Sequence, residues 1–186
     1  MIFAVRQLQE KCRERKLDLY LVFIDLTKAF DTVNRAGLWK ILKKIGCPDI
    51  FIDMIKLFHE NMQAKVLDAG ETSPEFDVKN GTKQGCVLAP TLFSIFFSMM
   101  LLIAFKDEEE GINIRSRTDS WLFTHRFNYA RLLARRKCSY TCIRDLLFAD
   151  DCALAACTQE GVQKLTNCFA SAAKRFGLTI SLKKLK

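Results

Sequence analysis

The sequence predicts one α+β domain in which an antiparallel sheet packs on helices, and three observations predict it. Asp18 to Asp25 is a nearly continuous apolar run rich in β-formers, as expected of a strand buried on both faces. Further along, apolar residues recur at i, i+3, i+4 and i+7, the spacing of helices that lay one face on a core. Strand and helix signals then intermix over 186 residues without an internal repeat or low-complexity linker, and the 49% hydrophobic content suffices for a single core.

Composition narrows the partners. A formal charge of +8 favours a polyanion, either nucleic acid or an anionic membrane surface. The eight cysteines show no short repeated spacing and there are only two histidines, which reads as free thiols in a reducing compartment. A zinc set of Cys138, Cys142, Cys152 and Cys157 is disfavoured, because two of these lie on a strand leaving an acidic turn. Arg6, Glu10, Lys11, Arg13 and Glu14 interrupt any signal-peptide pattern at the start. Val87 to Phe105 carries no charge and reaches the lower limit of about 17 residues for a membrane span. Pro90 near its start and Thr91, Ser94 and Ser98 along it suit instead a helix that begins at Pro90 and is buried in a protein core, so no membrane is expected.

In chain order, Ile2 to Arg15 reads as a charged helix with a modest apolar face through Val5, Leu8 and Cys12. The core strand follows and ends on an acid, Asp25. A first helix carries Leu38, Ile41, Leu42 and Ile45 and is stopped by Gly46, with Pro48 just beyond. A second carries Phe51, Met54, Ile55, Phe58 and Met62. Both stripes are expected to be core, with His59 at the surface or boundary. Ala64 to Ala69 and Glu75 to Lys79 alternate as a hairpin, with Gly70 in the connection and Asn80-Gly81 as its closing turn. Thr82-Lys83-Gln84-Gly85-Cys86 forms a polar, glycine-bearing loop leading into the apolar helix, a device that brings backbone close to a ligand at a helix start.

Asp107 to Glu110 reads as a solvated helix end. Arg115, Arg117, Arg126, Arg131, Arg135, Arg136 and Lys137 crowd the next segment, which either tracks phosphates or forms an exposed basic hairpin. Phe148-Ala149-Asp150-Asp151 then stands between two short apolar runs, Ile143 to Leu147 and Cys152 to Cys157, and reads as strand, tight turn, strand with the acids at the tip. A final helix has the apolar face Val162, Leu165, Phe169, Ala172, Ala173 and Phe176. Gly177 closes it, and Leu178 to Leu182 reads as a last strand running into Lys183 and Lys184.

Two adjacent carboxylates beside a core repel each other unless a cation reverses the local field. A solvated turn is the plain alternative, since turns favour Asp for backbone reasons, and Asp25 could likewise cap a turn. In an antiparallel sheet, however, Asp25 can lie beside the Asp150-Asp151 turn. Three carboxylates then converge with hard oxygen ligands, which suits Mg²⁺ or Mn²⁺ rather than zinc. Two such ions about 4 Å apart are the device for in-line phosphoryl transfer.

At these residues the chain resembles a family. Phe23-Ile24-Asp25-Leu26-Thr27-Lys28-Ala29-Phe30-Asp31 resembles the first palm motif of reverse transcriptases. Asn80-Gly81-Thr82-Lys83-Gln84-Gly85-Cys86-Val87-Leu88-Ala89-Pro90 is similar to the second, and Phe148-Ala149-Asp150-Asp151 to the third. The helix through Phe176 with Gly177-Leu178-Thr179-Ile180 resembles the fourth. Their order and wording are those of non-LTR (LINE-type) retrotransposon polymerases, and they cover essentially the whole chain.

The resemblance implies a polymerase palm over 18–186, its antiparallel sheet ferredoxin-like (RRM-like), with incomplete fingers represented by a residual helix over 1–17. It implies RNA-directed DNA polymerase activity, with an RNA template, a DNA primer and dNTPs as partners, two Mg²⁺ or Mn²⁺ ions and no organic cofactor. By residue, it assigns metal binding to Asp25 and Asp150, with the Leu26 carbonyl assisting and Asp151 in support. Backbone near Lys28 and Ala29 would hold triphosphate oxygens, and Phe30 matches the steric gate against a ribose 2′-hydroxyl. Gln84 and Gly85 match positions that contact the template and the incoming nucleotide, and Lys184 aligns with a lysine near the leaving pyrophosphate. The family implies an intracellular setting, nucleus or cytoplasm, as a ribonucleoprotein.

The chain departs from the pattern at Ser181, where the family usually has Asn, and at Leu185, where it has Thr. With the thumb, the endonuclease and most of the fingers outside it, the isolated chain is expected to be weakly active or inactive. The competing reading is a retrotransposon remnant or domesticated domain that at most binds nucleic acid through its basic surface.

Overall fold

The computed structural model describes residues 1–83, 85–117 and 138–181. Helix α1 (Ile2–Glu14) leads into strands β1 (Tyr20–Ile24) and β2 (Leu26–Thr27), separated only by Asp25, and then into helices α2 (Ala29–Thr32), α3 (Arg35–Lys44) and α4 (Asp49–Leu57). Short strands β3 (Gln63–Ala64), β4 (Leu67–Asp68), β5 (Glu71–Thr72) and β6 (Phe76–Asp77) precede the apolar helix α5 (Ala89–Ala104). After it come β7 (Ile112–Arg117), β8 (Cys138–Ile143), β9 (Asp145–Phe148), β10 (Asp151–Ala156), helix α6 (Gln159–Phe176) and β11 (Thr179–Ile180).

The central sheet is antiparallel. β10 lies between β1 and β9, in the registers Ile24 to Cys152 and Asp151 to Phe148. β11 pairs with β2, Ile180 opposite Leu26, and the Ser181 N–H donates to the Asp25 carbonyl at 2.9 Å. On the other side, the Ala155 N–H donates to the Arg144 carbonyl. Carried along the pleat, that bond turns the N–H and C=O of Cys152, Leu154 and Ala156 toward β1, and those of Ile24 toward β10. Asp25 therefore faces β11, and the three-stranded sheet β1–β10–β9 and the two-stranded ladder β2–β11 follow one another across Asp25 in the order β11, β1–β2, β10, β9. This is the ferredoxin-like order expected from the resemblance.

The two faces are covered unequally. Ile24, Cys152, Leu154 and Ala156 point into the main core with Leu92, Phe93, Phe96, Phe97 and Met100 of α5 and Leu165, Phe169 and Ala173 of α6. Phe97 meets Phe169 edge to face with centroids 6.2 Å apart, and Phe96 meets Phe176 at 5.3 Å. On the second face, Leu8 and Cys12 of α1 cluster with Ile112 and Ala155, and Leu21 packs against them. That cover reaches only one end. Phe23, two residues further on, is 39% exposed, so the strand expected to be buried on both faces is open near its acidic end.

Other expectations are met or corrected locally. α3 buries Leu38, Ile41 and Leu42 and ends before Gly46 at φ 87°. α4 does not become core: only Ile52 is buried, while Phe51, Met54 and Phe58 are 56%, 47% and 64% exposed. α3 packs against α4 and takes Ile52 and part of Ile55 into the core, while the rest of the stripe stays exposed. His59 is buried rather than at the surface, its Nδ1 2.8 Å from the Ile55 carbonyl and its ring edge-on to Trp39.

The hairpin turns at Ala69-Gly70, both with positive φ as a two-residue primed turn requires, so β4 pairs with β5 and β3 with β6. Glu108, in the run expected to be solvated, instead pairs with Lys164 at 2.7 Å, and the Lys164 ammonium holds its carboxyl below the usual range. Cys12, Cys47, Cys86, Cys142, Cys152, Cys157 and Cys168 are free thiols. No helix of the described residues is long and apolar enough to cross a membrane. The basic stretch falls largely outside the described residues, with Arg115 and Arg117 placed on β7.

Candidate functional site

The site is built where two motif turns meet at one end of the sheet. Asp25 follows the last residue of β1 and Asp151 opens β10, and the last pair of the β1–β10 ladder, Ile24 with Cys152, stands directly beside both acids. Alternation along the strands turns them to the face opposite Ile24 and Cys152, which is the open face beside Phe23. Asp150 sits at the tip, in the two-residue connection Ala149-Asp150 that closes the β9–β10 hairpin. Ala149 has φ 54°, a conformation that costs a residue with a Cβ about 1–2 kcal/mol.

Lys28 shows the same strain at the other turn, with φ 48° as it caps α2. The carbonyl of Lys28 accepts from the Asp31 and Thr32 N–H groups, fixing the turn that presents Ala29 and Phe30. Leu26 and Ile180 form a pair whose own N–H and C=O groups point away from each other, so the Leu26 carbonyl is directed toward β10 and the acidic hairpin. Phe30 is half-buried against Phe93 of α5, their ring centroids 4.6 Å apart.

Among the described residues no group of three or more His, Cys, Asp or Glu side chains is placed to hold a metal ion. Asp150 lies in the turn and Asp151 opens the strand that leaves it. The remaining donors are all hard oxygens, namely Asp25, the acidic hairpin and the Leu26 carbonyl. That set fits Mg²⁺, which is usually bound by one or two carboxylates together with substrate phosphates rather than by an all-protein cage.

The second motif is brought to the first. The Gly81 N–H donates to the Val33 carbonyl and the Thr82 N–H to the Phe30 carbonyl, both at 2.8 Å. The chain beyond this contact runs through exposed Gly85, at φ 87°, into α5. Gln84 and Lys184 lie outside the described residues.

Sequence reasoning missed the residue that holds this junction. Arg35 donates from Nε to the Gly81 carbonyl at 2.8 Å, from Nη1 to the His59 carbonyl at 2.9 Å and from Nη2 to the Asn80 carbonyl at 3.3 Å. Burial holds its guanidinium below the ordinary value. The available signal was its position: an Arg opening a helix stands at the positive end of the dipole, where a solvated cation gains nothing.

Comparison with known proteins gives the same answer as the motifs. Residues 2–186 match the family described as Reverse transcriptase (RNA-dependent DNA polymerase). The retrovirus-related Pol polyprotein of the type-2 retrotransposable element R2DM of Drosophila melanogaster is 32% identical over 82 residues, 44% of this chain and 8% of that protein. Its counterpart from the type-1 element R2 of Popillia japonica is 30% identical over 105 residues, 56% of this chain and 17% of that protein. The RNA-directed DNA polymerase of the mobile element jockey of Drosophila funebris is 38% identical over 78 residues, 42% of this chain and 8% of the relative. The matched part is thus a small fraction of each relative's length. In fold, the chain is similar to apo telomerase from Candida tropicalis, truncated from its C-terminal domain, with a TM-score of 0.63 at 16% identity over 98% of this chain and 33% of that one. The ordered motifs, the antiparallel sheet and a family match running from residue 2 to residue 186 agree: the chain belongs to the reverse transcriptase family.

Proposed function

We propose that this chain is the palm of an RNA-directed DNA polymerase of a LINE-type retroelement, adding deoxynucleotides to a DNA primer 3′-hydroxyl on an RNA template. The observation that supports the reading is the Ile24–Cys152 register, which ends the β1–β10 ladder between Asp25 and the Asp150-Asp151 hairpin. Residues 1–17 are the fingers-derived helix of this reading and 18–186 the palm.

Asp25 and Asp150, with the Leu26 carbonyl, would hold two Mg²⁺ or Mn²⁺ ions, and Asp151 supports them. When bound, the ions acidify the primer hydroxyl and offset the charge that builds on the triphosphate in the transition state. In this reading the backbone at Lys28 and Ala29 holds triphosphate oxygens, and Phe30, braced by Phe93, takes the role of steric gate against a ribose 2′-hydroxyl. Gln84 and Gly85 contact template and nucleotide, and Lys184 lies near the leaving pyrophosphate. In the cell the protein works in the nucleus or cytoplasm as a ribonucleoprotein.

Primer extension on an RNA template with Mg²⁺ or Mn²⁺, comparing the native chain with Asp150→Asn, tests this reading. Loss of most extension in the variant is expected. Equal activity in both would remove Asp150 from its role, and nucleic-acid binding without extension in either would favour the remnant reading.

A further inference from the structure

The junction between the first two motifs carries an inference that rests on the reading above. Asn80-Gly81-Thr82 is pressed onto the Phe30 turn so closely that a Cβ on Gly81 would lie 2.7 Å from Asp31. On the turn's side, the carbonyls of Phe30 and Val33 accept the Thr82 and Gly81 N–H groups. From α3, the Arg35 guanidinium spreads over the carbonyls of Asn80 and Gly81 in the loop and of His59 after α4. Its Nη2 also lies 3.8 Å from the Met62 sulfur. Phe30 in turn leans on Phe93 of the helix into which the loop feeds. Gate turn, loop and α5 therefore form one packed unit.

We propose that Arg35 is a positioning residue for the incoming nucleotide: its planar fork, clamped across the carbonyls of Asn80, Gly81 and His59, fixes the loop leading to Gly85 relative to Phe30. The check on the sugar and the contact from the loop then act on the same nucleotide. The chemistry needs arginine. Donors from all three guanidinium nitrogens, held in a rigid plane, reach separate carbonyls, whereas lysine offers one flexible ammonium that engages only part of the set. A loop held only by its own two backbone bonds would keep its place less tightly, because each contributes only about 1 kcal/mol.

The experiment compares the native chain with Arg35→Ala and Arg35→Lys by two measurements. The first is hydrogen exchange over residues 80–83, with α6 as the internal reference. The second is steady-state primer extension, with KM determined separately for dNTP and for template–primer. In Arg35→Ala, loop exchange is expected to rise about tenfold or more, as loss of a hydrogen-bonded charge implies. The KM for dNTP is expected to rise by a similar factor while α6 exchange and the KM for template–primer stay fixed, and Arg35→Lys should recover part of both changes.

A merely structural role would lower the folded fraction, reducing kcat with both KM values unchanged, and that result overturns the proposal. So does unchanged loop exchange, whether or not any chain extends a primer. Absence of extension in the native chain sinks the polymerase reading instead: a loosened loop then upholds the clamp, and its nucleotide role falls.

Discussion

Gly81→Ala is the substitution whose cost the structure predicts most sharply. Two effects add. At φ 83° the new Cβ incurs the left-handed penalty of about 1–2 kcal/mol. It would also stand 2.7 Å from the Asp31 Cα and carbonyl and 2.8 Å from the Phe30 carbonyl, about 0.7 Å inside ordinary contact. All three are backbone atoms and cannot swing aside, so the loop must back away and stretch the Gly81–Val33 and Thr82–Phe30 hydrogen bonds. At about 1 kcal/mol each, that brings the total to about 3–4 kcal/mol. Gly46→Ala supplies the control, because Gly46 has φ 87° but nothing within 4 Å of its ideal Cβ, leaving only the conformational penalty.

The difference between the two variants, about 2 kcal/mol, therefore isolates the close approach of the second motif to the first. Urea unfolding followed by circular dichroism reads it: with a slope of about 2 kcal/mol per molar, Gly81→Ala should unfold about 1 M below Gly46→Ala. Coincident midpoints would refute the claim that the loop is seated on the Phe30 turn.

Two further outcomes are expected. Phe169→Ala removes a fully buried ring that meets Phe97 edge to face, and should cost about 3–5 kcal/mol in the same unfolding experiment; a cost below about 1 kcal/mol would mean that α6 is not packed on α5 as described. Asp145 is pushed above the usual carboxylate range by burial, against the opposing pull of Arg144. A carboxyl raised in the folded state favours folding fully below its unfolded pKa and loses that contribution as pH climbs through the folded value. Asp145→Asn should therefore raise Tm at pH 7, by a margin that shrinks as pH is lowered toward 4, and a margin that grew on acidification would show the sign to be wrong.

What the sequence made legible was whatever depends on local pattern. The core strand, the Leu38 stripe, the Ala149-Asp150 turn and the α6 face with its Gly177 stop all appear where periodicity and turn chemistry put them. α4 shows the limit of that reasoning, because a 3.6-residue stripe says which face is apolar but not how much of it is covered. The apolar content of β1 likewise predicted burial on both faces, yet the cover supplied by α1 stops short of Phe23. Arg35 was legible only in part. Its place at the start of α3 marks it as an arginine with a partner elsewhere, but the partners at His59 and Gly81 are 24 and 46 residues away and are named only once the chain is folded.

The candidate site combines these legible and illegible parts, and its strain shows how they depend on each other. Lys28 and Ala149 both hold a left-handed conformation without being glycine, and each stands within three residues of a motif acid. Such conformations persist only where the surroundings over-determine them. At Lys28 the constraints are β2 pairing with β11 on one side and the first bonds of α2 on the other. At Ala149 the constraint is a two-residue hairpin, whose strand twist requires positive φ. Glycine would relieve the strain at either turn but would also free the turn to move, and a carboxylate that binds an ion jointly with a neighbouring strand gains from being fixed before the ion arrives. The strained residues are thus where the chain gives up stability to fix the turns beside Asp25 and Asp150, and under the proposed function those fixed turns are where the ions and the nucleic acid would be met.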